Sequence, residues 1–325
     1  TLHNTLFPYT TLFRSTGAAL ENPGAFADLV EDNSGLRLEL EARGKFAFGE
    51  PVVTEIKLYM TDQRGKRVHK ELHPNFGFVQ IAIQKPSGEV IVYHPPMEHC
   101  IETETVELTK ENPAVYESAY IGYDRDHGQI FDQPGSYRLR AVYYSMDGSV
   151  VLSDVMPIWV QVPVTQREEE LAELFLGDEQ GMLLYLLGSD SKYLKNGRDA
   201  FELVLDKHPD TQMAVYAQLV KGYNLARPFA SLTPEYKLKL REPQVEEAES
   251  LLSQVVQASE KEKGVDNITL NQTMRHLAGA QIEAGQTEEG AETMERMVKI
   301  FSGKDLKPHV METIKAQAAA VKKMA

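Results

Sequence analysis

Apolar residues recur at every second position in the first half of this chain of 325 residues, and at every third or fourth position in the second half. The alternating half extends from about Gly35 to Pro163 and includes the segment SYRLRAVYY, in which arginines alternate with tyrosine, leucine and alanine. Helical spacing begins at Thr165, in the segment TQREEELAELFL. Because alternation is typical of β-strands and the longer period of amphipathic helices, the pattern predicts an all-β part, residues 16–163, followed by an all-α part, residues 164–325.

The first part consists of short alternating segments separated by turns. Pro86-Ser87-Gly88 separates one pair of such segments, and Asp147-Gly148 separates another. Short turns of this composition favour β-hairpins. Since no helical segment lies between the strands, we expect an antiparallel β-sandwich.

The second part contains about eight segments with apolar residues three and four positions apart, most of them separated by glycine, proline or polar turns. A run of short helices is typical of an array in which neighbouring helix pairs bury each other's apolar faces. The segment Arg227–Pro243 lacks the helical pattern. We therefore expect a long loop there that interrupts the array.

The stretch Pro134-Gly135-Ser136-Tyr137, followed by RLRAVY, resembles the end of an immunoglobulin-like or fibronectin-like domain. In those folds a tyrosine near the start of the penultimate strand binds back to the chain a few residues upstream. The resemblance implies this role for Tyr137 and an immunoglobulin-like β-sandwich for residues 16–163. Leu139 stands where antibody domains have a cysteine, which removes their disulfide. Tyr144 should lie on the face of the strand opposite to Tyr143.

Two segments of the second part resemble tetratricopeptide repeats. GRDAFELVLDKHPDT resembles a second repeat helix, with Gly197, Phe201 and Pro209 at the small, aromatic and proline positions. LNQTMRHLAGAQIEAGQTEEGAETMERMV resembles nearly a whole repeat. The resemblance implies a tetratricopeptide-like α-solenoid for residues 164–325.

The tetratricopeptide resemblance also implies a binding site. In such a solenoid the first helices line a concave surface, and the positions that face it here are Lys221, Asn224 and Arg275. Their cationic and amide groups can hold a peptide carboxylate by charge-assisted hydrogen bonds. The order of sandwich and repeats resembles that of bacterial exported proteins, which implies a periplasmic or cell-surface location.

The residues Thr5 to Ser15, TLFPYTTLFRS, match in order the translation of a common short-read sequencing adapter. We therefore expect residues 1–15 to be an artefactual leader that packs against nothing. The natural chain is then expected to begin within a longer protein, with any export signal, membrane anchor or catalytic region upstream.

Charge and cysteine content exclude several classes of function. The formal net charge is −14, from 34 Lys and Arg against 48 Asp and Glu. An acidic surface repels phosphate backbones and anionic lipids, so binding to nucleic acid or to a membrane surface is disfavoured. No unbroken apolar run is long enough for a membrane span. Cys100 is the only cysteine, which excludes an internal disulfide and a multi-cysteine zinc site.

Motifs for catalysis are almost absent. Ser189-Asp190-Ser191-Lys192 satisfies the Ser-x-x-Lys pattern of penicillin-recognising enzymes, but their Ser-Asp-Asn and Lys-Thr-Gly partners are missing. We therefore interpret it as a polar turn at the end of a helix. The sequence has no Gly-x-Ser-x-Gly, His-Glu-x-x-His or phosphate-loop motif. Neither a catalytic residue nor a cofactor is predicted.

Two segments carry residue types that bind metals: His94, His99 and Cys100 in YHPPMEHC, and Asp124, Asp126 and Asp132 in and near DRDHG. The first set has nitrogen and sulfur donors for zinc but no evident fourth ligand. The second resembles the start of a calcium loop, but the residue that closes such a loop is missing at the required spacing. We interpret both as structural loops and predict no metal site. The acidic residues of the helices are interpreted as the solvent-exposed faces of amphipathic helices. Met274, Met294 and Met297 are interpreted as core residues.

These observations favour a non-catalytic protein that binds another protein or a peptide. Two alternatives stay open. In the first, the chain is the accessory part of a larger enzyme, such as a hydrolase, whose catalytic region lies upstream. In the second, the sandwich binds carbohydrate. A carbohydrate-binding sandwich usually presents a flat row of exposed aromatic side chains. Tyr143 and Tyr144, on opposite faces of one strand, do not provide such a row.

Overall fold

The computed structural model of the chain describes Phe26 and residues 34–62, 64–99, 104–232, 237–261 and 264–322. Within these residues the first part is built of strands and the second mainly of α-helices, so the predicted order of a β-rich and a helical region is confirmed. The leader predicted at residues 1–15 lies outside the described residues.

The β-rich region contains several antiparallel sheets. Its strands are β1 (Leu36–Glu41), β2 (Lys45–Phe46), β3 (Val53–Met60), β4 (Lys66–His69), β5 (Val79–Gln84), β6 (Val90–Val92), β7 (Thr105–Leu108), β8 (Ala114–Tyr120), β9 (Tyr123–Asp124), β10 (Gly128–Gln129), β11 (Gly135–Tyr144), β12 (Val150–Leu152) and β13 (Met156–Val160). One sheet has the order β1-β3-β8. A larger sheet has the order β2-β13-β11-β5-β6, with β12 also paired to β11 and the β2–β13 pair parallel.

Alternation in the sequence explains how these two sheets share a core. Leu38 of β1 and Leu58 of β3 are register partners, and both are buried while their strand neighbours face outward. Tyr137 and Leu139 of β11 are buried in the same way. All four belong to one cluster of buried apolar side chains. Burial of this cluster stabilises the region by about 25 cal/mol for each Å² of apolar surface removed from water.

Tyr137 has the contacts that the sequence predicts for it. Its side chain is 0% exposed, and its hydroxyl donates a hydrogen bond to the main-chain carbonyl of Gln133 at 2.8 Å. Its ring centroid lies 4.9 Å from that of Phe131. Tyr144 lies on the opposite face of β11, where its hydroxyl donates to Gln80 Oε1 at 3.0 Å. The predicted hairpins also form, with Gly88 and Gly148 at positive φ in the turns between β5 and β6 and between β11 and β12.

The helical region is described as eight α-helices: α1 (Gln166–Phe175), α2 (Asp178–Leu186), α3 (Lys195–Lys207), α4 (Gln212–Leu225), α5 (Val245–Glu260), α6 (Asn267–Glu283), α7 (Thr287–Ser302) and α8 (Pro308–Lys322). Helix α1 begins at a capping box, in which Thr165 Oγ1 accepts from the Glu168 N–H and the Glu168 carboxylate accepts from the Thr165 N–H. Helix α4 lies between α3 and α5 and is buried at nearly every position. Met274, Met294 and Met297 are buried in the helical core, as predicted.

The segment Arg227–Pro243 is not the plain loop that the helical pattern suggested. It contains an antiparallel hairpin of β14 (Phe229–Leu232) and β15 (Leu238–Arg241). In KLKLR, leucines alternate with basic residues, a strand pattern that a search for helical spacing does not detect. Arg241 joins the hairpin to the helices, because its guanidinium pairs with Asp190 and donates to the Asn224 carbonyl at 2.6 Å.

The two regions contact each other along several elements. Val53 of β3 and Tyr120 of β8 pack against the apolar cluster of the helices. Tyr185 donates from its hydroxyl to the Met97 carbonyl at 2.9 Å. At Gly49, which has φ of 78°, a Cβ atom would lie only 2.7 Å from Ala172 Cα. Glycine therefore permits this close approach as well as the backbone conformation.

Candidate functional site

A cleft of about 790 Å³ lies between the β1-β3-β8 sheet and helices α6 and α8. Its sheet wall includes Glu39, Glu41, Glu55, Lys57, Tyr59 and Tyr116, and its helix wall includes Asn271, Gln272, Arg275, Lys307, His309 and Gln317. Clefts of this size between two structural units are where ligands commonly bind. We refer to it below as the interface cleft.

The register of the sheet produces one wall of the interface cleft. Lys57 is the partner of Glu39 on one side and of Tyr116 on the other, so the three side chains point to one face. The alternate residues, such as Ile56, point to the core and are buried. The polar half of the strand alternation therefore faces the helices.

Two carboxylates flank the ammonium group of Lys57 in the sheet wall. Its Nζ lies 2.6 Å from Glu55 Oε2 and also contacts the Glu41 carboxylate. Burial alone would lower the pKa of Lys57, but the hydrogen bonds and charges of the two carboxylates outweigh it and raise the pKa. Burial raises the pKa of Glu55, an effect that its hydrogen bond to Lys57 opposes. Lys57 is therefore charged, and its ammonium group already pairs with Glu41 and Glu55 of the same sheet.

Aromatic side chains form the part of the cleft near α8. The rings of Tyr59 and Tyr116 meet edge to face with centroids 5.8 Å apart. The Tyr116 hydroxyl lies 2.7 Å from His309 Nε2. Burial, followed by the charge of Lys307, lowers the pKa of His309, which favours the neutral ring whose Nε2 can accept a hydrogen bond from the Tyr116 hydroxyl. Lys307 Nζ lies 4.1 Å from the centroid of the Tyr59 ring, within cation–π distance.

Two cations of the interface cleft, Arg275 and Lys307, are exposed and form no ion pair with any residue that the structure describes. By contrast, Lys70 at the same cleft pairs with Glu104 at 2.5 Å. In a chain of net charge −14, unpaired cations on the helix wall are positions where an anionic ligand group can bind.

The cleft continues into a second cavity of about 450 Å³, which shares Glu41, Glu55 and Asn267 with it. The start of α6 lines both cavities through Asn267, and Asp266 there accepts from the N–H groups of the first turn. The other carboxylate oxygen of Asp266 accepts from Ser118 Oγ of β8 at 3.1 Å. The beginning of α6 is thus fixed directly to the sheet.

The three groove residues predicted from the tetratricopeptide resemblance have different surroundings. Arg275 lines the interface cleft. Lys221 pairs with Glu202 of α3 at 3.0 Å and Glu247 of α5 at 3.2 Å. Asn224 is buried, and its Nδ2 donates to Asp190 Oδ1 at 2.6 Å. Among the three, Arg275 alone is a lining residue of the cleft. The sheet wall was not predicted, because its sequence shows only alternating polar residues.

The Ser-x-x-Lys segment forms the polar turn expected from its sequence. Ser189 Oγ accepts from the Ser191 N–H at 3.2 Å. Lys192 Nζ lies 5.0 Å from the ring centroid of Tyr193. These contacts stabilise the turn between α2 and α3.

The structure does not keep the two candidate sets of metal ligands as the sequence groups them. His99 donates its main-chain N–H to Asn75, Asp132 pairs with Lys85 at 3.2 Å, and Cys100 lies outside the described residues. His94 from the first motif instead lies beside Asp124 and Asp126 from the second, with one ligand atom of each within 4.8 Å of the others. Sequence spacing could not bring these residues together, because they belong to separate segments that meet only in the fold.

No family model and no curated protein sequence matches the chain. None of the helices within the described residues is long and apolar enough to cross a membrane.

Three solved structures show a faint similarity to the chain. A β-glucosidase from Listeria innocua shares 15% identity at a TM-score of 0.24, covering 42% of this chain and 17% of that enzyme. A CARDB domain from Pyrococcus furiosus, in complex with di-metal ions, shares 12% identity at 0.21 and covers 42% and 96%. An alkylpurine DNA glycosylase from Pseudomonas fluorescens, bound to DNA, shares 13% identity at 0.26 and covers 47% and 36%. Scores this low carry no argument about fold or function, so the function has to be inferred from the geometry of the cleft itself.

Proposed function

We propose that the chain is a non-catalytic binding protein that holds an acidic peptide segment of a partner protein in the interface cleft. The proposal takes residues 16–163 as an immunoglobulin-like sandwich and residues 164–325 as a tetratricopeptide-like array. The observation that carries it is the pair of exposed cations, Arg275 and Lys307, which lack carboxylate partners in the described chain while the cleft lysine Lys57 has two.

Three amide side chains of the lining suit a peptide backbone. Asn271, Gln272 and Gln317 carry amides that both donate and accept hydrogen bonds. Asn271 and Gln317 now bind each other at 3.1 Å, a contact that a peptide amide can replace. Tyr59 and Tyr116 offer aromatic surface for an apolar side chain. The cleft therefore combines carboxylate, amide and apolar recognition.

Binding of fluorescent peptide pools of matched length, one acidic, one neutral and one basic, tests the proposal. We expect the acidic pool to bind, with an affinity that falls as salt rises, because the contacts are partly electrostatic. Arg275→Gln and Lys307→Gln should each weaken binding by about tenfold to a hundredfold, as expected for a hydrogen bond to a charged group.

Lys221→Gln is the matched control, because Lys221 is also a partly exposed lysine but is paired outside the cleft. We expect this variant to bind as the unchanged chain does. Equal binding of all three pools, or a loss in Lys221→Gln without a loss in Arg275→Gln, would contradict the proposed site and favour the groove predicted from the repeats.

A further inference from the structure

His94, Asp124 and Asp126 meet where the segment after β6 crosses the turn between β9 and β10. The two segments are fixed by main-chain hydrogen bonds. The Arg125 N–H donates to the His94 carbonyl at 2.9 Å, and the His94 N–H donates to Asp124 Oδ2 at 2.6 Å. The three side chains are therefore held on a defined backbone, and none of them is among the groups that line the interface cleft.

Asp124 is fully buried, and the hydrogen bonds to its two oxygens are unequal. Oδ1 accepts from the N–H groups of Asp126 at 2.7 Å and His127 at 2.9 Å, and it also lies 2.9 Å from His127 Nδ1. Among the described residues, Oδ2 accepts only the His94 N–H. A carboxylate oxygen has two lone-pair sites, so Oδ2 keeps one for a further ligand. A buried carboxylate also gains from a nearby positive charge.

His94 gives a second, independent indication of a ligand. Its Nδ1 atom is buried and makes no hydrogen bond within the described part of the chain. It lies 3.0 Å from Asp126 Oδ2, close enough for an ion pair but not in hydrogen-bond geometry. An imidazole nitrogen left without a hydrogen bond next to two carboxylates is an arrangement that a cation completes.

We propose that His94 Nδ1, Asp124 Oδ2 and an Asp126 carboxylate oxygen bind a first-row divalent metal ion, with Zn²⁺ as the cation that fits best. An imidazole nitrogen with carboxylate oxygens suits zinc, whereas Ca²⁺ takes six to eight oxygen ligands. His127 lies against the other oxygen of Asp124 and orients this carboxylate.

The ion would fix the segment that follows β6 to the β9–β10 turn. Three residues after His94, the Met97 carbonyl accepts a hydrogen bond from Tyr185 of α2 at 2.9 Å. Metal binding at this position therefore stabilises one of the contacts between the β-rich and helical regions. This role is structural and independent of the peptide site.

Titration of the metal-free full chain with Co²⁺, followed by visible d–d absorption and then displacement by Zn²⁺, tests the proposal. We expect one tight site per chain and a rise in the thermal unfolding midpoint with Zn²⁺. His94→Gln and Asp126→Asn should each weaken binding more than about tenfold, since even outer groups of a metal site contribute that much, and should remove the shift in midpoint.

The control is His99→Gln, a change at a nearby exposed histidine that is not part of the cluster, which should bind Co²⁺ and Zn²⁺ unchanged. His94 and Asp126 have side chains that are 37% and 51% exposed, so circular dichroism should show folded variants. If one variant fails to fold, the other decides. Unchanged affinity in a folded His94→Gln or Asp126→Asn, equal loss in His99→Gln, or effective competition by Ca²⁺ would overturn the proposal.

Discussion

The hydroxyl of Tyr137 binds the Gln133 carbonyl four residues upstream, with the ring fully buried between the sheets. Tyr137→Phe removes about one hydrogen bond, so the free energy of unfolding should fall by about 1 kcal/mol. Tyr137→Ala also opens a cavity and should cost about 3–5 kcal/mol. Tyr144→Ala is the comparison, because its side chain is only partly buried on the other face. Denaturant midpoints measure all three, and a larger loss for Tyr144→Ala would contradict the assigned role.

Two neutral histidines of the β-rich region make stability depend on pH. Burial lowers the pKa of His69 to about 4 and that of His73 to about 4. In the unfolded chain both titrate near 6.5, so the unfolded state binds more protons than the native state between these values. The contribution of these two histidines to the free energy of unfolding is therefore present above about pH 6.5. It is lost as the pH falls toward 4.

The expected loss between pH 7 and 5 is about 1–2 kcal/mol for each histidine. It is measured by urea unfolding at several pH values. His69→Gln should flatten the dependence while its amide replaces the ring nitrogen near the Tyr143 hydroxyl. A slope that is the same in His69→Gln and in the unchanged chain would show that folding does not lower the pKa of His69.

At the scale of elements, the β14–β15 hairpin depends on Arg241. Its guanidinium contacts Asp190 in the α2–α3 connection and the Asn224 carbonyl at the end of α4. Arg241→Ala leaves both acceptors without this partner and should reduce the free energy of unfolding by about 1–3 kcal/mol.

Lys239→Ala, two residues away on the same strand and exposed, should change stability by less than about 0.5 kcal/mol. Thermal unfolding compares the two variants, and hydrogen exchange at the end of α4 locates the effect. Equal stability of the two would mean that the hairpin is attached by other contacts.

Several elements were predictable because their sequence patterns are local. The hairpin turns at Gly88 and Gly148, the role of Tyr137 and the change to helices at Thr165 each depend on residues close in the chain. The interface cleft depends on the opposition of β3 and α6, which no local pattern encodes. Lys57 and Arg275 are therefore ordinary polar positions in the sequence and lining residues in the fold.

For the whole molecule, the buried apolar residues fall into separate main clusters, one within the β-rich region and one within the helical region. We therefore expect the fragments Thr16–Pro163 and Val164–Ala325 each to unfold cooperatively, with β-rich and helical circular dichroism. Val53 and Tyr120 lose their helical contacts in the first fragment, so its midpoint should be lower than in the full chain. A fragment that stays unfolded would place the boundary elsewhere or make the contact obligatory.

The walls of the interface cleft come from opposite sides of a junction of a few residues, since β13 ends at Val160 and α1 begins at Gln166. This short tether holds each wall near the other at an effective concentration of about millimolar or more. A ligand that touches both walls therefore meets a single preassembled receptor. If the chain were cut at Val162, the same ligand would have to form a ternary complex with two separate fragments. Its apparent affinity would then vary with protein concentration, as it does for a molecular glue.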